Sequence, residues 1–212
     1  MPFTLIETDN HLVHDKIARL RDRTTESEEY VRLLEDLSAL LAFHVASDTP
    51  VEQRVIATPR RERTEVQMVP ANCRFLVFSL FRAAVPMARK LKSLLPNCGV
   101  VHVVYRAKAI VDVRDLPDDP RVLLASCRLI IADPIIGTGQ SILKIVELLE
   151  SWGVSAKQIR VICMAAAESG ISRILEKYPE LMITGLVKER TLLADGYLDP
   201  GFGDVGNRVF GL

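Results

Sequence analysis

Residues 131–141, IADPIIGTGQS, follow an apolar run and lead into an amphipathic one, and their types suit the holding of a phosphate. Gly137 and Gly139 let the backbone approach a ligand closely. Successive N–H groups can point into one concavity, and the start of the helix expected from Ser141 favours an anion. Thr138 and Ser141 add hydroxyls. Two familiar phosphate loops do not fit: a lysine-bearing loop needs Lys where Gln140 stands, and a dinucleotide loop needs a third Gly or Ala where Ile142 stands. Asp133, four residues before Gly137, adds a carboxylate placed to accept hydrogen bonds from sugar hydroxyls. Acid, cradle and helix together point to a sugar phosphate. The simpler alternative is a plain strand-to-helix turn whose glycines serve only its tightness.

The last sixteen residues, YLDPGFGDVGNRVFGL, carry four glycines and show neither a helical nor a strand period. Tyr197, Phe202, Val209 and Phe210 argue against a disordered tail. An ordered glycine-rich segment offers bare N–H and C=O groups, an edge able to read a planar nucleobase, with Asp204 as its one strongly placed charge.

These segments must be positioned by a core, and the chain has the means. It has 212 residues, 49% of them hydrophobic and 25% charged, enough for one domain with a substantial interior. Residues 74–81, 100–105, 128–132, 160–165 and 181–187 read as strands. Residues 84–95, 141–152 and 171–178 read as helices between them. Strands apolar on both faces and separated by helices predict an α/β fold, a parallel sheet covered on both sides. Residues 12–44 are helical in pattern, with Tyr30, Leu33, Leu34, Leu37, Leu40 and Leu41 on one face and Thr25 with Glu28 as a capping box. Residues 47–70 predict a short hairpin or arm, its Arg60, Arg61 and Arg63 in a solvated loop. The expected organisation is one domain over 1–212: N-terminal helices at 1–46, the arm at 47–70, the α/β core at 71–190 and a base-binding segment at 191–212.

Lys plus Arg equal Asp plus Glu at 27 each, so nothing in the overall charge attracts nucleic acid or an anionic membrane. The N-terminus lacks a basic region followed by an apolar core, and no uncharged apolar run approaches a membrane span, so a cytoplasmic protein is expected. The four cysteines are scattered without paired spacing and read as reduced apolar side chains rather than as metal ligands or disulfides.

With these motifs in view, the sequence resembles the uracil phosphoribosyltransferases of the type I phosphoribosyltransferase superfamily. The likeness runs from the N-terminal helices through FRAAVPM and VVYR to ADPIIGTGQS and YLDPGFGDVGNRVFGL, nearly the whole chain. The family's usual forms are LRAGLGM, YR followed by acidic residues and threonine, DPMLATGGS and YxxPGLGDAGDRxFGT. The closing motif is the most specific. The resemblance implies that 5-phospho-α-D-ribosyl 1-diphosphate and uracil give uridine 5′-monophosphate (UMP) and diphosphate, with Mg²⁺ bound mainly through the sugar diphosphate. It assigns the donor to Asp133, Pro134, Ile135, Ile136, Gly137, Thr138, Gly139, Gln140 and Ser141, with Asp133 on the ribose hydroxyls. Arg82 and Arg106 would hold the diphosphate. Main-chain groups of Leu198, Gly203, Asp204 and Val205 would read the base, and Asp204 would also touch the donor or its metal. A homodimer or higher homo-oligomer is implied, with the N-terminal helices and the arm as the elements suited to form it.

The departures from the family's pattern fall where the diphosphate is handled. After Arg82 the glycines become Ala84 and Pro86, which on backbone grounds removes freedom of φ and an N–H donor. After Arg106 the acidic residues and threonine become Ala107, Lys108, Ala109 and Ile110, in a segment expected to be a flap over the donor. Gln140 replaces a glycine, and Asn207 replaces an aspartate beside the base site. Two readings of different class follow. One is an active uracil phosphoribosyltransferase. The other keeps fold and pocket but has weak or no transferase activity and acts as a nucleotide-sensing or partner-binding protein.

Overall fold

The computed structural model describes residues 3–6 and 10–212. Its elements, in chain order, are β1 (Phe3–Leu5), α1 (His11–Arg21), α2 (Ser27–Val45), β2 (Glu52–Ala57), β3 (Arg63–Met68), β4 (Phe75–Phe81), α3 (Val85–Leu94), β5 (Cys98–Arg106) and β6 (Ala109–Arg114). There follow α4 (Arg121–Ala125), β7 (Arg128–Ala132), β8 (Ile135–Ile136), α5 (Gln140–Ser151), β9 (Ile159–Ala167), α6 (Glu168–Lys177), β10 (Met182–Glu189), β11 (Thr191–Leu192), β12 (Leu198–Asp199) and α7 (Val205–Phe210).

The main sheet runs β1-β10-β9-β7-β4-β5-β6, with β8 pairing β9 beside it. Every pairing is parallel except that of β5 with β6. The predicted α/β sheet is thus present, and alternation along each strand explains why its strands read as continuously apolar. Phe75 and Val77 of β4 join α1, α2, α3 and the C-terminal segment in one core, whereas Leu76 and Phe78 join α5 and α6 in another on the opposite face. Burial on both faces leaves no polar side for a strand to show.

The N-terminal helices form as expected, with Tyr30, Leu33, Leu34, Leu37 and Leu41 fully buried. The capping box does not. The N-cap of α2 is Glu26, without a side-chain bond, because the Thr25 hydroxyl donates instead to the Arg19 carbonyl at 2.7 Å and closes the turn after α1. The arm exists as a hairpin of β2 with β3. Two segments gain definition in the structure. The segment expected as a flap is a hairpin, with a two-residue turn, Ala107 and Lys108, between β5 and β6 and φ positive at both (49° and 66°), as a hairpin of this length requires. The C-terminal segment contains the helix α7, with Asp204 Oδ1 accepting from Asn207 N at 2.8 Å at its start and Gly211 in the left-handed conformation at its end.

Candidate active site

β7 ends beside Ser79 of β4 and Ile162 of β9, and the segments beyond the carboxyl ends of these strands build the site, where open parallel sheets bind ligands. Asp133 leaves β7 with its N–H bonded to the Ile162 carbonyl at 3.1 Å, and the Pro134 carbonyl accepts from Met164 and Ala165. The strand is therefore locked to β9 up to the loop. Asp133 is buried, 6% exposed; its carboxyl accepts from Ile135 N at 3.3 Å and from Ser141 Oγ at 3.1 Å. Burial pushes its pKa up to about 7, and these two hydrogen bonds oppose the rise. Ser141 thus stands as a positioner of Asp133, not as a free hydroxyl.

The loop itself depends on two glycines. Gly139 has φ +76°, and a Cβ there would also lie 2.8 Å from the Gly170 carbonyl oxygen. Gly170, in the first turn of α6, lies so close to the loop that a Cβ would fall 2.0 Å from the Gly137 carbonyl oxygen. The cradle is therefore a three-part packing of loop, α5 and α6, and Gly170 was missed by sequence reasoning. Its signal, a glycine inside a helical pattern without other explanation, is present in AESGIS.

Two adjoining cavities open here and share Ile135 and Gly196. One, of about 470 Å³, is lined by Gly137, Thr138, Gly139, Gln140 and Ser141 together with Tyr105, Lys108 and Arg173. The other, of about 200 Å³, is lined by Asp133, Pro134 and Ile135 with Tyr197, Leu198, Phe202, Gly203, Asp204 and Val205. The loop and the C-terminal segment, some sixty residues apart in sequence, thus line adjoining cavities. Ile136 is buried in the core and lines neither cavity. Asp204 keeps its carboxylate exposed while accepting from Tyr197 Oη at 3.3 Å. A third cavity, about 210 Å³ at the opposite edge of the sheet, carries Arg128 and Arg160, but both are ion-paired to Asp48.

The two arginines expected at the diphosphate lie apart from these linings. The peptide bond between Phe81 and Arg82 is cis. The Arg82 guanidinium donates to Asn207 Oδ1 at 2.6 Å and stacks over the Phe210 ring at 5.2 Å, which ties the segment after β4 to α7. Arg106 ends β5, exposed and without an ion-pair partner among the described residues. The alanine and proline after Arg82 are accommodated. Ala84 has φ −87°, which needs no glycine, and its N–H bonds the Leu80 carbonyl at 2.9 Å. Pro86 falls in the first turn of α3, where helix N–H groups have no intrahelical partner.

The base-side segment is anchored by Arg208, whose guanidinium lies 4.1 Å from the Tyr30 ring centroid and donates to the carbonyls of Leu20, Phe202 and Asp22. Arg21 adds a second tie through Glu189 at 2.5 Å and the Phe202 ring. The N-terminal helices therefore act as the platform on which the base side of the site is set.

A parallel sheet carrying a buried acid and a glycine loop at its carboxyl edge, beside an ordered C-terminal segment, defines the class: an α/β protein with its candidate ligand site at the carboxyl ends of the strands. Comparison with known proteins makes this specific. The family model described as uracil phosphoribosyltransferase matches residues 7–212, and the chain belongs to that family. Proteins named uracil phosphoribosyltransferase from Mesoplasma florum and Ligilactobacillus salivarius are 30% and 29% identical to it, over 100% and 96% of this chain and 99% and 96% of theirs. In structure it is similar to the AQ2163 protein from Aquifex aeolicus, with a TM-score of 0.82 at 21% identity and 99% of each chain covered, a likeness of fold. The chain is a pentosyltransferase by family.

Proposed function

We propose that the chain transfers the phosphoribosyl group of 5-phospho-α-D-ribosyl 1-diphosphate to uracil, giving UMP and diphosphate, as in pyrimidine salvage. The observation that carries this reading is the adjacency of the two cavities: a phosphate cradle and an acid on one side, a base-sized cleft with bare backbone on the other. The sugar phosphate sits on the N–H groups of Gly137 to Ser141. Asp133 accepts from the ribose hydroxyls, which brings the anomeric carbon to the junction. Uracil lies against Tyr197, Phe202 and Val205, with main-chain groups of Leu198, Gly203, Asp204 and Val205 reading its edge.

Substitution at the anomeric carbon develops positive charge on the sugar and negative charge on the leaving diphosphate, so no covalent nucleophile is needed. Positioned cations and N–H groups supply the acceleration. Arg106, exposed and free of a carboxylate, is assigned to the diphosphate. Arg82 is assigned to its binding from the other side, coupled through Asn207 to the base segment. The residues fit a magnesium ion held chiefly by substrate phosphates, because Asp204 offers an exposed carboxylate in the cavity it lines with Asp133. Such an ion neutralises charge on the diphosphate.

A second copy of the chain is the proposed occupant of the arm, whose hairpin leaves Val55 61% exposed. The proposed setting is the cytoplasm, where the four free cysteines stay thiols. No helix among the described residues is long and apolar enough to cross a membrane. The deciding experiment incubates the protein with the donor, Mg²⁺ and, separately, uracil, cytosine, hypoxanthine and adenine, and follows nucleotide and diphosphate. Turnover with uracil alone is expected. Saturable donor binding with no product from any base would replace the transferase by a nucleotide-sensing protein.

A further inference from the structure

α6 is held against the cradle by three contacts. Gly170 meets the Gly137 carbonyl with no room for a side chain, Ile174 lies under Gly139, and Ile171 and Ile174 are both buried in the core. These contacts fix the rotation of the helix, and with it the direction of Arg173, one turn after Gly170. Arg173 lines the larger cavity beside Thr138 to Ser141, and its Nη1 donates to the Thr138 carbonyl at 3.3 Å, a long bond to a neutral acceptor. It has no carboxylate partner among the described residues, although the neighbouring cations do: Lys144 and Lys177 share Glu147 at 2.7 Å, and Lys188 reaches Glu168 at 3.4 Å. A guanidinium left uncompensated at the wall of a backbone anion cradle has its charge unspent.

We propose that Arg173 binds the terminal phosphate of the sugar phosphate, adding a charge-assisted contact to the backbone cradle and selecting phosphorylated over unphosphorylated ribose. The inference rests on the donor site assigned above. A phosphate seated on the N–H groups of 137–141 presents its outer oxygens toward the α6 side. The planar guanidinium can engage two of them while remaining against Thr138. The side chain has enough freedom for this because it is exposed and carries no other bond.

The test measures binding of ribose 5-phosphate, of inorganic diphosphate and of the full donor with Mg²⁺, by calorimetry, for the wild type and for Arg173→Gln and Arg173→Lys. Loss of one charge-assisted hydrogen bond at an exposed site predicts about tenfold weaker binding of ribose 5-phosphate and of the donor by Arg173→Gln. Diphosphate binding stays unchanged. Arg173→Lys keeps the charge but not the two-pronged donor and recovers part of the loss, and raising salt narrows the difference between wild type and Arg173→Gln. Equal ribose 5-phosphate affinity in wild type and Arg173→Gln overturns the proposal. So does a loss of equal size for diphosphate, or one insensitive to salt and shared by Arg173→Lys, either of which would mark a merely structural hold on Thr138. Failure of the wild type to bind either ribose 5-phosphate or the donor would instead defeat the donor site itself, and the proposal with it.

Discussion

Asp133→Asn separates what the active-site acid does for binding from what it costs the fold. The carboxyl is buried beside β9, and burial raises its pKa from 3.8 to about 7. That difference corresponds to roughly 4 kcal/mol against the ionised form in the folded protein, an upper bound because the interior can relax. The folded state holds its proton up to about pH 7, whereas the unfolded chain releases it near 3.8. Between these values the folded state binds more protons, so stability falls as pH rises, and the loss is complete above about pH 7.

An asparagine keeps the shape and both partners. Its oxygen accepts from Ile135 N, and its amide can donate to Ser141 Oγ, whose hydroxyl turns to accept. The variant should match the wild type near pH 4 and exceed it by roughly 2–4 kcal/mol near pH 8. At about 2–4 °C per kcal/mol for a chain of this size, the separation in Tm grows to roughly 5–15 °C. Thermal unfolding across the pH range reads it directly. A separation that is constant with pH would refute the buried, proton-holding carboxyl. Donor affinity should move the other way. Replacing a carboxylate that accepts from ribose hydroxyls should weaken donor binding about tenfold to a hundredfold. The wild type's affinity should decline below about pH 7 more steeply than the variant's, whose residual slope reports the ligand's own phosphates.

Arg106→Ala should lower turnover about 10²–10³-fold with an unchanged unfolding transition, because the side chain is exposed and its assigned role is charge on the diphosphate; steady-state kinetics check this. Gly170→Ala places a methyl against the Gly137 carbonyl and should cost about 1–3 kcal/mol of stability and raise the donor KM, despite alanine's better helix propensity, as denaturant unfolding and kinetics would show. Arg208→Ala removes the tie from α7 to Tyr30 and the Leu20 and Phe202 carbonyls, and should raise the uracil KM more than the donor KM.

The strands and the loop were legible because their signals are local. Leu129, Ile130 and Ile131 can only be a buried strand or part of a buried helix, and the flanking breaks decide for strand. Asp133 with Gly137 and Gly139 carries its chemistry within seven residues. What stayed hidden depends on distant partners. α7 is six residues long and includes a glycine, too short for a period to show; it stands because Asp204 caps it, Gly211 ends it and Arg208 binds carbonyls from near position 20. β6 was not legible as a strand because it is short, although Ile110, Val111 and Val113 are β-branched residues suited to one. The Thr25 cap failed because a carbonyl six residues back competed for the same hydroxyl. Gly170 shows in the sequence only as a glycine within a helical pattern, and Arg173 not at all, since the importance of both is a distance to the loop across the β9–α6 turn.

The departures near the diphosphate now divide into two kinds. Those after Arg82 are absorbed by the backbone: the conformation at Ala84 is open to any residue, and Pro86 falls where helices tolerate it. Those after Arg106 change the side-chain chemistry of a short turn. A two-residue turn with positive φ at Ala107 and Lys108 is compact, and non-glycine residues hold that conformation at a cost of order 1 kcal/mol each. With alanines and Lys108 in place of the acids, Arg106 has no ion-pair partner among the described residues and Lys108 joins the wall of the cavity. The net change is toward positive potential around the donor, the sign that holds a diphosphate more tightly. Tighter holding benefits the donor complex and the product diphosphate alike, and binding shared in this way lowers KM without raising kcat. On the donor site proposed above, the replaced residues would bear first on affinity for the donor and on release of diphosphate, and only secondarily on the bond-breaking step.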